Sequence, residues 1–151
     1  MSCIRFNTPA QLAQLRSMAP VMLTPEQAAA LHDSPLHPSP EVTASKIARL
    51  RLLAQDANPK IRETVASSYH TPEDVFVSLA KDPDEGVRSC VARNESAPCD
   101  VLRSLAGDRS ERVRGFLAVN FFVPQDAMER LARDRSALVR DLVRWKSQLT
   151  A

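Results

Sequence analysis

Along the last two-thirds of the chain, apolar and polar positions repeat with a period of 26 residues. Four segments align in register: LAQDANPKIRETVASS from Leu53, LAKDPDEGVRSCVARN from Leu79, LAGDRSERVRGFLAVN from Leu105 and LARDRSALVRDLVRWK from Leu131. Inside each, two apolar residues stand four apart: Ile61 and Val65, Val87 and Val91, Val113 and Leu117, Val139 and Val143. That spacing sets both on one side of a helix. A second apolar set follows, with Val75, Phe76, Leu79 and Ala80 in one unit, Val101, Leu102, Leu105 and Ala106 in the next, and Ala127, Met128, Leu131 and Ala132 after that. Each unit therefore predicts two short helices.

The punctuation between these stripes repeats as well. Asn58, Asp84, Ser110 and Ser136 form a column of N-cap residues ahead of the first helix, since each side chain can accept from a free helix N–H. Asn94 and Asn120 are placed to stop that helix, as asparagine tolerates the left-handed conformation. Pro72, Pro98 and Pro124 suit the first turn of the second helix, and Thr71 with Asp74 resembles a capping box with a shortened acid. Upstream, Thr8-Pro9 with Gln11, Thr24-Pro25 with Gln27, and Ser39-Pro40 mark further helix starts. Helices are expected near 9–18, 25–32 and 40–55, with HDSPLHPSP (32–40) as a proline-rich connection.

Helices of about ten residues do not hold together alone in water. Their apolar stripes need neighbours, and serial repeats of this kind cover one another by stacking. The expected fold is all-α: a right-handed α-α superhelix, or α-solenoid, of about three and a half 26-residue two-helix repeats. Residues 1–52 would form an N-terminal helical cap with its proline-rich connection, and 53–151 one continuous repeat domain.

Composition narrows the class. A chain of 151 residues that is 44% hydrophobic and 25% charged is long enough to bury a core. Only 3 glycines and 5% aromatics speak against a β-sandwich. No apolar run approaches the roughly 20 residues that cross a bilayer, and MSCIRFNTPA lacks the apolar stretch of a secretory signal. A cytoplasmic protein with no membrane association is expected. The net charge of +2 is mild, but residues 53–104 carry 6 basic and 9 acidic groups while 105–151 carry 9 and 6.

Two charged columns ask for a role. Asp56, Asp82, Asp108 and Asp134 precede the first helix of each unit, and Arg62, Arg88, Arg114 and Arg140 follow six residues later. The N-cap position is already filled two residues after each aspartate. The carboxylates are therefore expected to accept from turn N–H groups that stacking would bury, and from a guanidinium of the same or the next unit. Such a ladder is structural. The competing assignments, a catalytic acid–base pair or a row of phosphate-binding arginines, explain less well why the pair occurs four times.

The recurring Leu79-Ala80, Asp82, Val87-Arg88, Val91-Ala92, Asn94, Pro98 and Leu102, repeated as Leu105-Ala106, Asp108, Val113-Arg114, Leu117-Ala118, Asn120, Pro124 and Met128, resemble the leucine-rich repeat variant family, related to HEAT-like repeats. The likeness spans residues 53–146. It implies a right-handed superhelix of paired short helices, one of each pair partly 3₁₀. Some members carry an N-terminal iron–sulfur cluster on clustered cysteines. Here Cys3 is the only cysteine in the first 89 residues, and a cluster usually needs four thiolates, so no cofactor is expected.

Little else suggests chemistry. Cys90 falls in the column of Thr64, Phe116 and Leu142 and reads as a small core residue. Cys99, in the column of Glu73 and Gln125, is expected to be exposed at a helix start, where its thiol pKa would fall. His32, His37 and His70 lie in connections, with no metal-ligand spacing around them. No hydrolase, zinc-protease or phosphate-loop motif occurs, so neither catalytic nor metal residues are assigned. The surface remains. The second helices of successive units are expected to line one face, presenting Val77, Lys81, Arg103, Glu129, Arg130 and Arg133 to a protein partner. Arg93, Arg109, Arg112 and Arg135 add to the basic character of the later units. A nucleic-acid-binding surface built on these arginines is the alternative, weakened by the intervening acids and scarce aromatics.

Overall fold

The computed structural model describes residues 42–149. The expected helices near 9–18 and 25–32, the proline-rich connection and most of the proposed cap lie outside that range. The described residues form eight helices and no strand: α1 (Ala44–Leu53), α2 (Pro59–Ala66), α3 (Glu73–Leu79), α4 (Glu85–Arg93), α5 (Cys99–Leu105), α6 (Glu111–Val119), α7 (Gln125–Ala132) and α8 (Ala137–Leu149). The helix expected over 40–55 starts later than the Ser39-Pro40 signal suggests: α1 begins at Ala44 and is capped by Thr43, which accepts from the Lys46 N–H. No helix among these residues is long and apolar enough to cross a membrane.

Packing follows chain order. α2 lies on α4, α4 on α6 and α6 on α8, while α3, α5 and α7 each pack against the helices that flank them in sequence. One apolar cluster runs through the whole: Val65, Val87, Val91, Val113, Leu117 and Val139 from α2, α4, α6 and α8 meet Val75, Phe76, Leu79, Leu102, Leu105 and Leu131 from α3, α5 and α7. Each such Leu or Val contributes roughly 1.5–3 kcal/mol by leaving water.

The first-helix caps are side-chain caps. The Asn58 Oδ1 accepts from the Lys60 N–H, Asp84 from Gly86 and Val87, Ser110 from Arg112 and Val113, and Ser136 from Val139. The second helices begin differently from expectation. Pro72, Pro98 and Pro124 are extended, with ψ of 154°, 146° and 148°, and stand just before the first helical residue. Their carbonyls still accept from the helix, as in Phe76 N to Pro72 O at 3.0 Å. Thr71 forms no capping box. Its hydroxyl donates instead to the Val65 carbonyl, 2.6 Å away, and ties the end of α2 to the start of α3.

Asn94 and Asn120 also depart from the expected left-handed stop. Both are extended, at ψ 121° and 126°, and no residue among those described has positive φ. Their side chains face the preceding unit rather than closing their own helix.

Candidate interaction surface

Most polar groups that might have done chemistry are held by the framework. Arg62 Nε and Nη2 donate to the two carboxylate oxygens of Asp82 at 2.7 and 2.9 Å, while Nη1 donates to the carbonyl of Asp56 in its own turn at 2.7 Å. Arg88 repeats this with Asp108 (2.8 and 3.3 Å) and the Asp82 carbonyl (2.7 Å). Arg114 repeats it with Asp134 (2.7 and 3.1 Å) and the Asp108 carbonyl (2.7 Å). Each guanidinium thus joins its own turn to the carboxylate of the next. The Asp56, Asp82, Asp108 and Asp134 carboxylates also accept from the N–H two residues on, of Asn58, Asp84, Ser110 and Ser136, at 2.7–2.8 Å.

The inner pairs are dry. The Arg88 and Asp108 side chains are 5% and 7% exposed. Burial pushes the Asp82 and Asp134 carboxyls up, but the arginine fork and the turn N–H more than offset it and hold both below the usual carboxylate range. Hydrogen bonding to Asp108 and Asp134 raises Arg88 and Arg114 in turn. The outer members differ. Among the described residues, Arg140 has only backbone partners, the Asp134 and Arg135 carbonyls at 2.6 and 3.1 Å. Among the described residues, the Asp56 carboxylate accepts only from its own turn.

A second row runs through the asparagines. Asn94 Nδ2 donates to the Ala66 and Ser68 carbonyls at 2.8 and 3.0 Å, and its Oδ1 accepts from Ser96. Asn120 does the same 26 residues later, toward Ala92 and Asn94 (2.8 and 3.3 Å) and from Phe122. Lys146 takes the following place. It is 2% exposed, donates to the Asn120 carbonyl, and lies over the Phe121 ring at 5.4 Å. Burial pushes its ammonium down to about 8 from an ordinary 10.5. The unfolded chain then holds more protons than the folded one between those values, so stability rises as pH climbs through that window. The gain is expected to approach about 3 kcal/mol. Urea unfolding of the chain and of Lys146→Met at about pH 7 and about pH 10 checks this: the variant should show a much smaller rise, and an equal rise would assign the titration to another group.

A third row crosses the second helices. Arg51 on α1 forks onto Asp74 of α3 (3.0 and 3.2 Å), and Arg103 on α5 onto Asp126 of α7 (2.8 Å) as well as Asp100 (2.6 Å). Both cross-helix pairs span 23 residues. Val77 occupies the arginine place on α3 and is 43% exposed. These partly exposed pairs contribute little to stability, but they commit Arg103, which was expected to be offered to a partner.

No family model, curated protein or solved structure matches this chain. Function therefore rests on the surface itself. Val77, Lys81, Glu129, Arg130 and Arg133 are exposed on or just after α3 and α7, and Arg103 is half-buried on α5. Glu129 accepts from Gln125 at 3.2 Å. Arg109 and Arg135, also exposed, each reach the turn before their own: Arg109 Nη2 donates to the Pro83 carbonyl at 3.0 Å and Arg135 Nη2 to the Arg109 carbonyl at 2.9 Å. Arg93 and Arg112 flank the Phe116 ring at 5.2 and 5.7 Å, away from this region.

The cysteines do not sit as the sequence suggests. Cys99 is buried, at 8% exposure, where an exposed thiol was expected. Glu73 and Gln125 carry long polar side chains out from the equivalent place, and the short thiol does not reach that far. Cys90 is half-buried at the edge of the core, not inside it. Among the described residues no three His, Cys, Asp or Glu side chains gather into a metal-binding group.

Proposed function

We propose that the chain is a non-enzymatic α-solenoid scaffold that binds a protein partner through a face lined by its second helices. In this reading it consists of about three and a half two-helix repeats of the leucine-rich repeat variant type, wound right-handedly, with residues 1–52 as a cap, and works in the cytoplasm. Packing of α2, α4, α6 and α8 in chain order supports the stack. So do hydrogen bonds that return every 26 residues, such as the bonds of Arg62, Arg88 and Arg114.

One contrast carries the functional part. The recurrent Asp, Arg and Asn side chains are consumed by the framework, whereas the side chains of Val77, Lys81, Arg130 and Arg133 are exposed with no hydrogen-bond or ion-pair partner among the described residues. Extended repeat stacks use such exposed, uncommitted rows for recognition. A nucleic-acid-binding solenoid is the second reading, favoured by the exposed arginines Arg109, Arg130, Arg133 and Arg135.

The full chain used as bait in lysate of its source cells separates the two. A protein held through low and moderate salt, and lost with the Val77→Glu/Lys81→Glu variant, is the expected result. Nucleic acid that comes off steeply over the same salt range would favour the second reading instead.

A further inference from the structure

Four exposed guanidiniums surround one groove. It is an open depression of about 480 Å³ along the turns after α5 and α7, lined by Gly107, Arg109, Arg114, Arg130, Arg133 and Arg135 together with Asp108 and Asp134. The two acids are already taken, Asp108 by Arg88 and Asp134 by Arg114. Arg109 and Arg135 are anchored by one backbone carbonyl each. The Arg130 and Arg133 side chains have no hydrogen-bond or ion-pair partner among the described residues. None of the four forms an ion pair among the described residues. The Arg130 guanidinium lies close over Gly107: a Cβ there would come within 2.5 Å of Arg130 Nη2.

The positive charge is local. One unit earlier, the matching groove of about 410 Å³ offers only Lys81 and Arg109 as cations free of a carboxylate. At the same places in the first unit stand Gln55 and Ala57. Packed helices lie roughly 8–10 Å apart, so the basic stretch is about 10–20 Å long, the span of roughly three to six extended residues.

We propose that this groove binds a short run of aspartates or glutamates in a partner protein, with Arg130 and Arg133 taking the carboxylates and Arg109 and Arg135 lining the approach. The assignment rests on the protein-binding reading above and names the chemistry of the partner. The chain itself shows four times that its arginines seat carboxylates in two-pronged fashion. A nucleic-acid strand fits less well. The groove lining has no aromatic side chain on which a base could stack.

The test uses the full chain and a fluorescent eight-residue oligoglutamate, followed by anisotropy at low and moderate salt, beside an oligothymidylate of equal charge. The Arg130→Gln/Arg133→Gln variant is expected to bind the peptide at least about tenfold more weakly than the unaltered chain. The Arg49→Gln/Lys60→Gln variant, which removes the same charge far from the groove, should bind it normally. No peptide binding, or equal losses in both variants, overturns the proposal. Tighter binding of the oligonucleotide overturns it as well, in favour of a phosphate ligand. If the Arg130→Gln/Arg133→Gln bait still captures the protein that the unaltered chain captures, the groove assignment fails while the scaffold reading survives.

Discussion

Replacing Arg88 with alanine is expected to destabilise the protein by about 3–5 kcal/mol. The guanidinium is buried and serves three groups at once: both oxygens of Asp108 and the carbonyls of Asp82 and Pro83. Removing it leaves a carboxylate 7% exposed with only its turn N–H for company. Isolated buried charges cost far more than the pair contributes when intact, which is why truncating one partner is the severe change. Arg140→Ala supplies the comparison. That side chain is half-buried, reaches only carbonyls, and strands no carboxylate among the described residues. Its loss should cost about 1 kcal/mol. Urea unfolding of both variants decides the matter, and comparable losses would mean that the Arg88–Asp108 pair is not the source.

Asn120→Ala should come next, at about 2–4 kcal/mol by the same measurement. Asn120 is 5% exposed, and its amide occupies both prongs. Nδ2 donates to the Ala92 and Asn94 carbonyls, and Oδ1 accepts from the Phe122 N–H. Alanine leaves the buried Ala92 carbonyl and the half-buried Phe122 N–H without these bonds, and the Asn94 carbonyl with only the Ala97 N–H among the described residues. Asn120→Asp is the sharper probe. It keeps an acceptor for Phe122 but aims a carboxylate at two carbonyl oxygens, so it should be at least as damaging although nearly the same size. A tolerated aspartate would show that shape, not hydrogen bonding, holds this position.

These two residues also show what could be read from the chain before its structure. The cap column of Asn58, Asp84, Ser110 and Ser136 and the i, i+4 stripes are local chemistry, complete within one turn of helix, and recurrence made them plain. The aspartates' service to the turn N–H groups was legible for the same reason. Asn94 and Asn120 were misread because a local rule, the left-handed helix stop, offered a sufficient explanation. Their true partners lie 26 and 28 residues back in sequence, a distance no local rule covers. The Arg51–Asp74 and Arg103–Asp126 pairs were hidden likewise, since Val77 interrupts their column. Cys99 shows the opposite failure: its column neighbours are polar and reach water, and averaging over a column overlooks the length of a side chain. The candidate groove was half visible. Its arginines were evident as composition, but their gathering around Gly107 depends on how successive turns approach.

Arg140 is the fourth arginine of its column. Its guanidinium is already steered by two carbonyls into the pose that Arg62, Arg88 and Arg114 use, with the Nε and Nη2 edge turned away from them. In the earlier turns that edge receives an aspartate 20 residues downstream. A designer grafting another two-helix module onto α8 would therefore find half of this polar joint built, and would complete it with an acid at that distance and an apolar face to cover Leu138.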